Sequence, residues 1–443
     1  MINEVYLALL QEKRFAELSR ELIEQKEADI AEFIDELNST DALLVYRLLP
    51  KNLASEVFAF LDIDRQTDIS SLVSEAELKA LIEQLNFDDK IDLIEEIPAY
   101  VVEKILKNAS ITERKLINQF LNYPEDSAGS LMTIEFVDLK QDMTLKAAME
   151  RVRLIGKGKE TIYTCYVTDS MRILEGIISL KDLVLGQPDK LVGDMMETNV
   201  ISVSTHDDQE IIASEFMKYD FISMPVVDGE NRLVGIITID DVVDIIEEET
   251  TEDFQKMAAI IPTDDEYMEA SPFALAKRRI FWLAILMFSA VITEFITSAN
   301  VHITGEFVIL VSLMPMLMST GGNAGAQAST LVIRAITLGE IHFKNVATVI
   351  FKEMRVGLML GVTLGILNFI RLYIMGKPVK IAMVIGLTLI GTTTMAALLG
   401  GTLPILAKKL KLDPAIMANP LITTITDATT LIIFFLISTL ILL

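Results

Sequence analysis

Cysteine is nearly absent. The 443 residues contain one, Cys165, so no intramolecular disulfide can brace the fold, and a reducing compartment is expected for the part that carries it. Histidine is scarce as well: His206, His302 and His342 lie far apart in sequence. Without a His or Cys cluster, zinc and copper lose their usual ligands. No constellation of nucleophile, base and orienting acid stands out, and Gly156 and Gly158 in IGKGKE are too short a match for a phosphate-cradling loop. An enzyme is therefore not expected. The opening stretch, MINEVYLALLQEKRF, lacks the basic start and apolar core of a signal peptide, so later spans are expected to direct membrane insertion.

Acids are missing from the back of the chain. Residues 271–443 hold six (Glu294, Glu306, Glu340, Glu353, Asp413 and Asp427) against thirteen Lys or Arg, leaving 57 acids and 25 bases in residues 1–270. The front is thus near −32 and the back near +7. Such an acidic front repels phosphates, which excludes nucleic acid as a partner, and it suits a binder of cations. Bases are missing where the acids are densest. DDVVDIIEEETTED (240–253) has eight carboxylates and no base, and Asp264, Asp265, Glu266 and Glu269 follow against the single Lys256. On a helix, Asp241, Asp244 and Glu248 share one face, and Glu249, Glu252 and Asp253 another. A solvated charged face is the usual explanation for such a run. Its place beside apolar spans favours divalent cations bridging the carboxylates, and oxygen-only donors point to Mg2+ or Ca2+.

What is present falls into three regions. Residues 1–125 read as helix after helix, with apolar residues at three- and four-residue spacing in LIEQKEADIAEFIDEL, STDALLVYRLL and EAELKALIEQL. Glu36-Leu37-Asn38 with Asp41 and Pro50 recurs 48 residues on as Gln84-Leu85-Asn86 with Asp89 and Pro98. Helical hairpins stacked into a short superhelix, with helix starts at Asn38-Ser39 and Asn86-Phe87-Asp88, are expected rather than an irregular helical domain. In residues 126–253, β-rich runs such as TIYTCYVT, ILEGIISL and RLVGIITI alternate with helical segments. Residues 128–152 line up with 192–217, and EGIISLKDLV (175–184) with VGIITIDDVV (234–243). Each strand ends on a hydroxyl, and the Asp three residues later is expected to cap the next helix. The two β-α-β-β-α units resemble a pair of CBS modules, which commonly sense nucleotides or ions and pair face to face.

The third region holds five apolar runs, at about 280–299, 306–336, 346–374, 380–407 and 414–443, each as long as the roughly twenty residues a span needs. Lys277, Arg278 and Arg279 precede the first, Lys344, Lys352 and Arg355 follow the second, and Lys408, Lys409 and Lys411 precede the fifth. The positive-inside rule then puts the N-terminus in the cytosol and the C-terminus outside, with Lys377 and Lys380 running against it. Two features break the apolar pattern. PMLMSTGGNAGAQASTLVIR (315–334) places Gly321, Gly322, Asn323, Gly325, Gln327, Ser329 and Thr330 behind Pro315, which is expected to loosen the span. Hydrocarbon offers no hydrogen bonds, so this segment must be covered by protein or line a watery path. DPAIMANPLITTITDATTLIIFF (413–435) carries Asp427 among Asn419, Thr423, Thr424 and Thr426, with Pro414 and Pro420 expected to loosen the helix before it. A carboxylate at that depth costs several kcal/mol unless paired or wetted. It reads as the charge of an oxygen-lined cation path, or as part of a hydrogen-bonded cluster joining helices. Glu294 in the first span reads equally as a second intramembrane acid or as a residue near the outer interface, and Glu353 is expected in a local ion pair with Lys352 and Arg355.

In this order, helical repeat, CBS pair, acidic helix and five spans resemble the MgtE family of magnesium channels along essentially the whole chain. The strongest matches are PMLMSTGGNAGAQASTLVIR and DPAIMANPLITTITDATTL. The resemblance implies a multidomain membrane protein: an all-α superhelical N-domain (1–125), tandem α+β CBS modules (126–253), an acidic plug or linker helix (240–270) and a five-helix α transmembrane domain (271–443). It implies a homodimer set in the lipid of the cell membrane that imports Mg2+ down its electrochemical gradient. Asp427 would hold a hydrated Mg2+ on the pore axis; from the polar run of the second span itself, Asn323 is expected to approach the ion closest. The carried-over cytosolic Mg2+ ligands are Glu210, Asp220, Asp241, Asp244, Glu249, Glu252 and Asp253, with Asp88 or Asp89 from the N-domain, and their occupancy would close the pore. ATP between the CBS modules would fall to Lys181, Asp182 and Phe221, although the family has an aromatic near Thr164 and an arginine near Lys181 that this chain does not match. Ala428-Thr429-Thr430 stands where a glycine commonly follows the pore aspartate. Two rivals remain: a membrane-anchored CBS sensor of nucleotides or ions without transport, and a broader transporter of Co2+ or Mn2+.

Overall fold

Ten helices of eight to ten residues open the chain: α1 (Ile2–Gln11), α2 (Phe15–Ile23), α3 (Glu27–Asp35), α4 (Ser39–Leu48), α5 (Lys51–Ala59), α6 (Ile63–Leu72), α7 (Glu75–Ile82), α8 (Phe87–Glu96), α9 (Ala99–Asn108) and α10 (Ile111–Phe120). The structure, a computed structural model, describes residues 2–263, 267, 268, 270–341, 343–417 and 419–442, with side chains for all of these except 2, 3, 75, 88, 96, 100, 103, 104, 107, 108, 113, 304, 306, 343 and 419. It divides into two units, Met1–Ile246 and Glu247–Leu443.

Helices this short do not hold by themselves in water, so packing must hold them. From α3 to α9 each helix packs on the second one along, α3 on α5, α4 on α6, and so on to α7 on α9. That is the pattern of a stacked superhelix. Asn38 and Asn86 both occupy N-cap positions, of α4 and α8, and the Asn38 side chain accepts from the amides of Thr40 and Asp41. Both copies of the repeat therefore begin at the same asparagine.

The second part of this unit is a duplication. After the single turn α11 (Ala128–Leu131), β1 (Asp138–Leu139), α12 (Leu145–Ile155), β2 (Thr164–Thr168), β3 (Leu174–Ser179) and α13 (Leu180–Leu185) form one copy. The other comprises β4 (Val203–Ser204), α14 (Gln209–Tyr219), β5 (Ser223–Val227), β6 (Leu233–Thr238) and α15 (Ile239–Met257). Each copy has a three-stranded sheet whose first pair is parallel and second antiparallel, and each has a register slip at the equivalent place, after Val167 and after Val226. The copies trade edges. Thr133 and Ile236 exchange backbone hydrogen bonds of 2.8 and 2.9 Å, and Ile177 and Glu197 exchange two of 2.9 Å. Gly235 and Gly176 sit at these crossings, where a Cβ would lie 2.8 Å from the Thr133 and Glu197 carbonyl oxygens respectively. Only glycine lets the backbones approach so closely.

The helix that follows each sheet is not capped by the aspartate. Ser179 is the N-cap of α13: its hydroxyl accepts from the Asp182 amide at 3.1 Å and donates to Asp182 Oδ2 at 2.5 Å. In the other copy Thr238 donates to Asp241 Oδ2 at 2.9 Å. In α13 the hydroxyl both gives and takes a hydrogen bond and so takes the cap, and in both copies the acid settles in the first turn where the helix dipole favours it.

The second unit continues with α16 (Pro272–Ser289), α17 (Val291–Ala299), α18 (Val301–Glu306), α19 (Val308–Thr337), α20 (Val346–Ile374), α21 (Val379–Lys409) and α22 (Asn419–Leu442). Among the described residues, five stretches are long and apolar enough to cross a bilayer: Pro272–Ala299, Val308–Thr337, Val346–Ile374, Val379–Lys409 and Pro414–Leu442. Within the single chain, the most apolar part of the first span has no buried residue. The others join closely, α20 on α21, and α19 on both α21 and α22. Among lipid chains small residues permit such contacts. Gly357, Gly361 and Gly365 lie one turn apart on α20, where a Cβ would stand 2.8 Å from the Thr393 carbonyl oxygen, Ile390 Cα and the Gly386 carbonyl oxygen. Thr393 adds a 3.1 Å hydrogen bond to the Gly357 carbonyl.

The prolines behave differently from expectation. α19 runs unbroken through Pro315, since packing on α21 and α22 holds the helix despite one missing amide donor. Pro414 opens a 3-10 turn, Pro414–Met417, and Pro420 is the second residue of α22. A first-turn proline forfeits no intrahelical bond. These two prolines set where α22 starts rather than loosening it ahead of Asp427.

Candidate functional site

Gly321, Gly322 and Gly325 are buried on α19. A Cβ on Gly321 would meet Thr392 Cγ2 at 2.6 Å and Thr430 Oγ1 at 2.8 Å; on Gly322, Thr423 Cγ2 at 3.1 Å; on Gly325, Ile422 Cγ2 at 2.7 Å. α19 is thus drawn against α21 and α22 with no side chain of its own in between. Ser329 on the same side is buried and donates to the Met417 carbonyl at 3.0 Å, tying α19 to the turn before α22. With these turned inward, Ser319, Asn323, Gln327, Thr330 and Arg334 follow at three- and four-residue spacing along the exposed face of α19. Hydrocarbon cannot satisfy a row of amides and hydroxyls, so water or protein must cover it.

Asp427 lies two turns into α22, half-buried, between the fully buried Thr426 and Thr430 positions. The threonines read as lining an oxygen path give their hydroxyl protons to their own helix. Thr423 and Thr424 donate to the Pro420 carbonyl at 2.9 and 3.0 Å, and Thr426 donates to that of Thr423 at 2.9 Å. Thr423 and Thr426 also form the surface on which Gly322 and Gly325 rest. The Asn419 side chain lies outside the described residues. Glu294 borders an open cleft of about 280 Å³ with Thr293, Thr297, Ser298, Met314, Met318 and Leu431. Glu353 packs its stem toward Gly401 of α21 rather than forming the expected ion pair, and among the described residues none to Lys352 or Arg355 is present.

Of the acids expected to bind cytosolic Mg2+, Asp89 and Asp241 come within electrostatic reach of each other. Burial, then repulsion from Asp241, Glu135 and Asp240, pushes the Asp89 carboxyl up to about 6. Burial raises Glu135 as well, against the pull of Lys159 and Lys90. Glu135 was not foreseen, because no acidic run surrounds it. The Asp88 side chain lies outside the described residues, as do Asp264, Asp265, Glu266, Glu269 and His342. Glu210 is in the first turn of α14 behind its N-cap Asp208, and Asp220 ends that helix in the left-handed region at φ 54. Asp244, Glu249, Glu252 and Asp253 are spread along α15. Among the described residues no three His, Cys, Asp or Glu side chains converge closely enough to hold a metal ion.

Lys256 closes the acidic helix. Its ammonium lies 2.6 Å from Glu252 and 2.7 Å from Asp413. Burial pulls its pKa down, but the two carboxylates outweigh this and the net result is a rise to about 12. The residues assigned to ATP are dispersed in role. Lys181 and Asp182 are exposed in the first turn of α13, with Asp182 bonded to Ser179, while Phe221 stacks on Tyr219 with ring centroids 5.4 Å apart.

Together these elements define a class: a multi-pass membrane protein with a polar, carboxylate-bearing set of spans, joined through an acidic helix to a paired α+β module and a helical repeat. Known proteins agree. Residues 314–437 match the family model for the divalent cation transporter MgtE, residues 25–126 the MgtE intracellular N domain, and residues 192–248 the CBS domain. The magnesium transporter MgtE of Thermus thermophilus is 36% identical over 420 residues, 94% of this chain and 93% of the relative. That of Bacillus subtilis is 33% identical, covering 93% of each. Among solved structures, the cytosolic domain of the Mg2+ channel MgtE in complex with ATP is 34% identical with a TM-score of 0.53, covering 55% of this chain and 99% of its own. The soluble part of a magnesium transporter is 29% identical with a TM-score of 0.52, covering 56% and 97%. The chain belongs to the MgtE family.

Proposed function

We propose that this protein is a homodimeric Mg2+ channel of the cell membrane, N-terminus cytosolic and C-terminus outside, which imports Mg2+ and is closed by Mg2+ on its cytosolic side. The observation that carries the reading is the polar face of α19, from Ser319 to Arg334, beside a helix bearing the half-buried Asp427, in spans otherwise apolar. A membrane-anchored sensor without transport has no use for such a face. The names of the full-length relatives support Mg2+ as the cargo.

Asp427 supplies the charge that attracts a divalent ion, and Asn323 is the amide nearest to it from α19 in this reading. An inside-negative potential drives entry with about 4.6 kcal/mol per 100 mV for a double charge. Closure comes from the acids. Without Mg2+, Asp89, Glu210, Asp220, Asp241, Asp244, Glu249 and Asp253 repel one another, while Glu252 is held by Lys256; Mg2+ bridging the acids removes the repulsion and draws α15 into the closed arrangement. Several weak oxygen-ligand sites acting together give a steep response near millimolar Mg2+. Nucleotide between the CBS modules would rest on Lys181, Asp182 and Phe221, and ATP titration of the purified protein tests this directly. A second reading, broader transport of Co2+ or Mn2+, follows from a site with one carboxylate, which selects a hydrated ion mainly by size and charge.

Uptake into vesicles holding the purified protein decides the matter. Asp427→Ala is expected to abolish Mg2+ uptake with unchanged expression; normal uptake would overturn the pore assignment. Competition by Ca2+, Mn2+ and Co2+ in the same assay separates the Mg2+-selective from the broader reading.

A further inference from the structure

α15 carries eight carboxylates from Asp240 to Asp253 and one base, Lys256, in its last turn. That base reaches beyond its own helix. It stands between Glu252 Oε2, one turn back, at 2.6 Å and Asp413 Oδ2, in the segment joining α21 to α22, at 2.7 Å. The pair is sheltered, with 21% of the Lys256 side chain and 30% of the Asp413 side chain exposed. Hydrogen bonds continue from there. The other Asp413 oxygen accepts from the Ala415 amide at 2.8 Å, which fixes the 3-10 turn Pro414–Met417. The Met417 carbonyl accepts from buried Ser329 of α19 at 3.0 Å, and α22 begins two residues later.

We propose that Lys256 is a positioning residue for the pore, a built-in cation that fastens the end of the acidic helix to the start of α22, so that movement of α15 is felt by the helix bearing Asp427. This rests on the reading of the chain as a cation channel closed through its acidic helix. Two carboxylates from separate elements repel when brought to one point. A divalent ion bridges them only while its concentration exceeds its dissociation constant, whereas a lysine on the same helix is always present. The fastening therefore holds at low Mg2+, and the metal-dependent part of closure lies N-terminal to it on α15.

The full-length protein in vesicles tests this by Mg2+ uptake at graded Mg2+ on the cytosolic side, with Mg2+-dependent protection of the cytosolic portion from protease measured alongside. Lys256→Met and Asp413→Asn are each expected to retain uptake at low Mg2+ but to need about tenfold more Mg2+ to close, with protease protection unchanged. The double variant should be no worse than either single one. Lys256→Arg and the swap Lys256→Asp with Asp413→Lys should restore closure at wild-type Mg2+. Closure of both single variants at wild-type Mg2+ overturns the fastening while leaving the channel reading intact, as does failure of the swap with additive single effects. A wild type without uptake overturns the channel reading and this inference with it.

Discussion

Asp89 gives the clearest expectation at the scale of a residue. Its carboxyl is raised to about 6 by burial and by three neighbouring acids. The folded protein therefore holds a proton there at a pH where the unfolded chain has released it. Stability contributed by this group is present at low pH, falls as pH rises from about 4 to about 6, and stays lost above that, for a cost of roughly 3 kcal/mol at most. Asp89→Asn should raise the melting temperature of the metal-free protein at pH 7 and flatten its profile between pH 4 and 6. It should also shrink the stabilisation that added Mg2+ gives the wild type. Thermal unfolding in detergent across that range is the measurement, and an unchanged profile would remove Asp89 from the acidic set. Cys165 makes a simpler case: it is buried and its thiol is pushed up to about 12. Maleimide should label it only on unfolding, because the thiolate is the reactive form.

Among elements, the contact of α20 with α21 depends on the absence of side chains. Gly361 faces Ile390 Cα at 2.8 Å from where its Cβ would be. Gly361→Leu should separate the two helices and lower the yield of folded, monodisperse protein far more than Leu364→Ala, an exposed position on the same helix. Size-exclusion chromatography in detergent compares them. The repeat of glycine at every fourth position, 357, 361 and 365, is visible in the sequence, yet only the structure says which neighbour it serves. The same holds for Gly176 and Gly235, whose matching places in the duplication were legible while the exchange of edges was not. Gly235→Ala should destabilise the paired modules by about 1–3 kcal/mol, since Thr133 backbone would have to move. Prolines and caps misled for a related reason. Pro315, Ser179 and Thr238 obey local preferences, but which preference wins depends on the partner atoms that folding supplies.

For the whole molecule, charge separates along the chain, near −32 over residues 1–270 and near +7 over residues 271–443. In the proposed channel the acidic part would respond to cations, while the other part is apolar enough to remain in a bilayer with its few acids singled out. Neutralising Asp241, Asp244 and Glu249 together should weaken inhibition by cytosolic Mg2+ while leaving uptake at low Mg2+ in place. Patch currents from that variant that stayed fully Mg2+-sensitive would count against closure by α15. The exposed polar face of α19 calls for water or protein that one chain does not supply; cross-linking in native membranes is expected to trap a homodimer.

By itself the sequence determined the five spans, the two duplications, the acidic helix and the lone intramembrane aspartate, because each depends on local composition or on a repeat that chain order preserves. The tertiary structure decided which face of α19 is buried by glycine and which is left polar. It turned the threonines near Asp427 toward their own backbone, and it set Asp89 near Asp241 and Lys256 against Asp413. Those pairings join residues more than 150 positions apart, and no local preference fixes a distance that only packing can close.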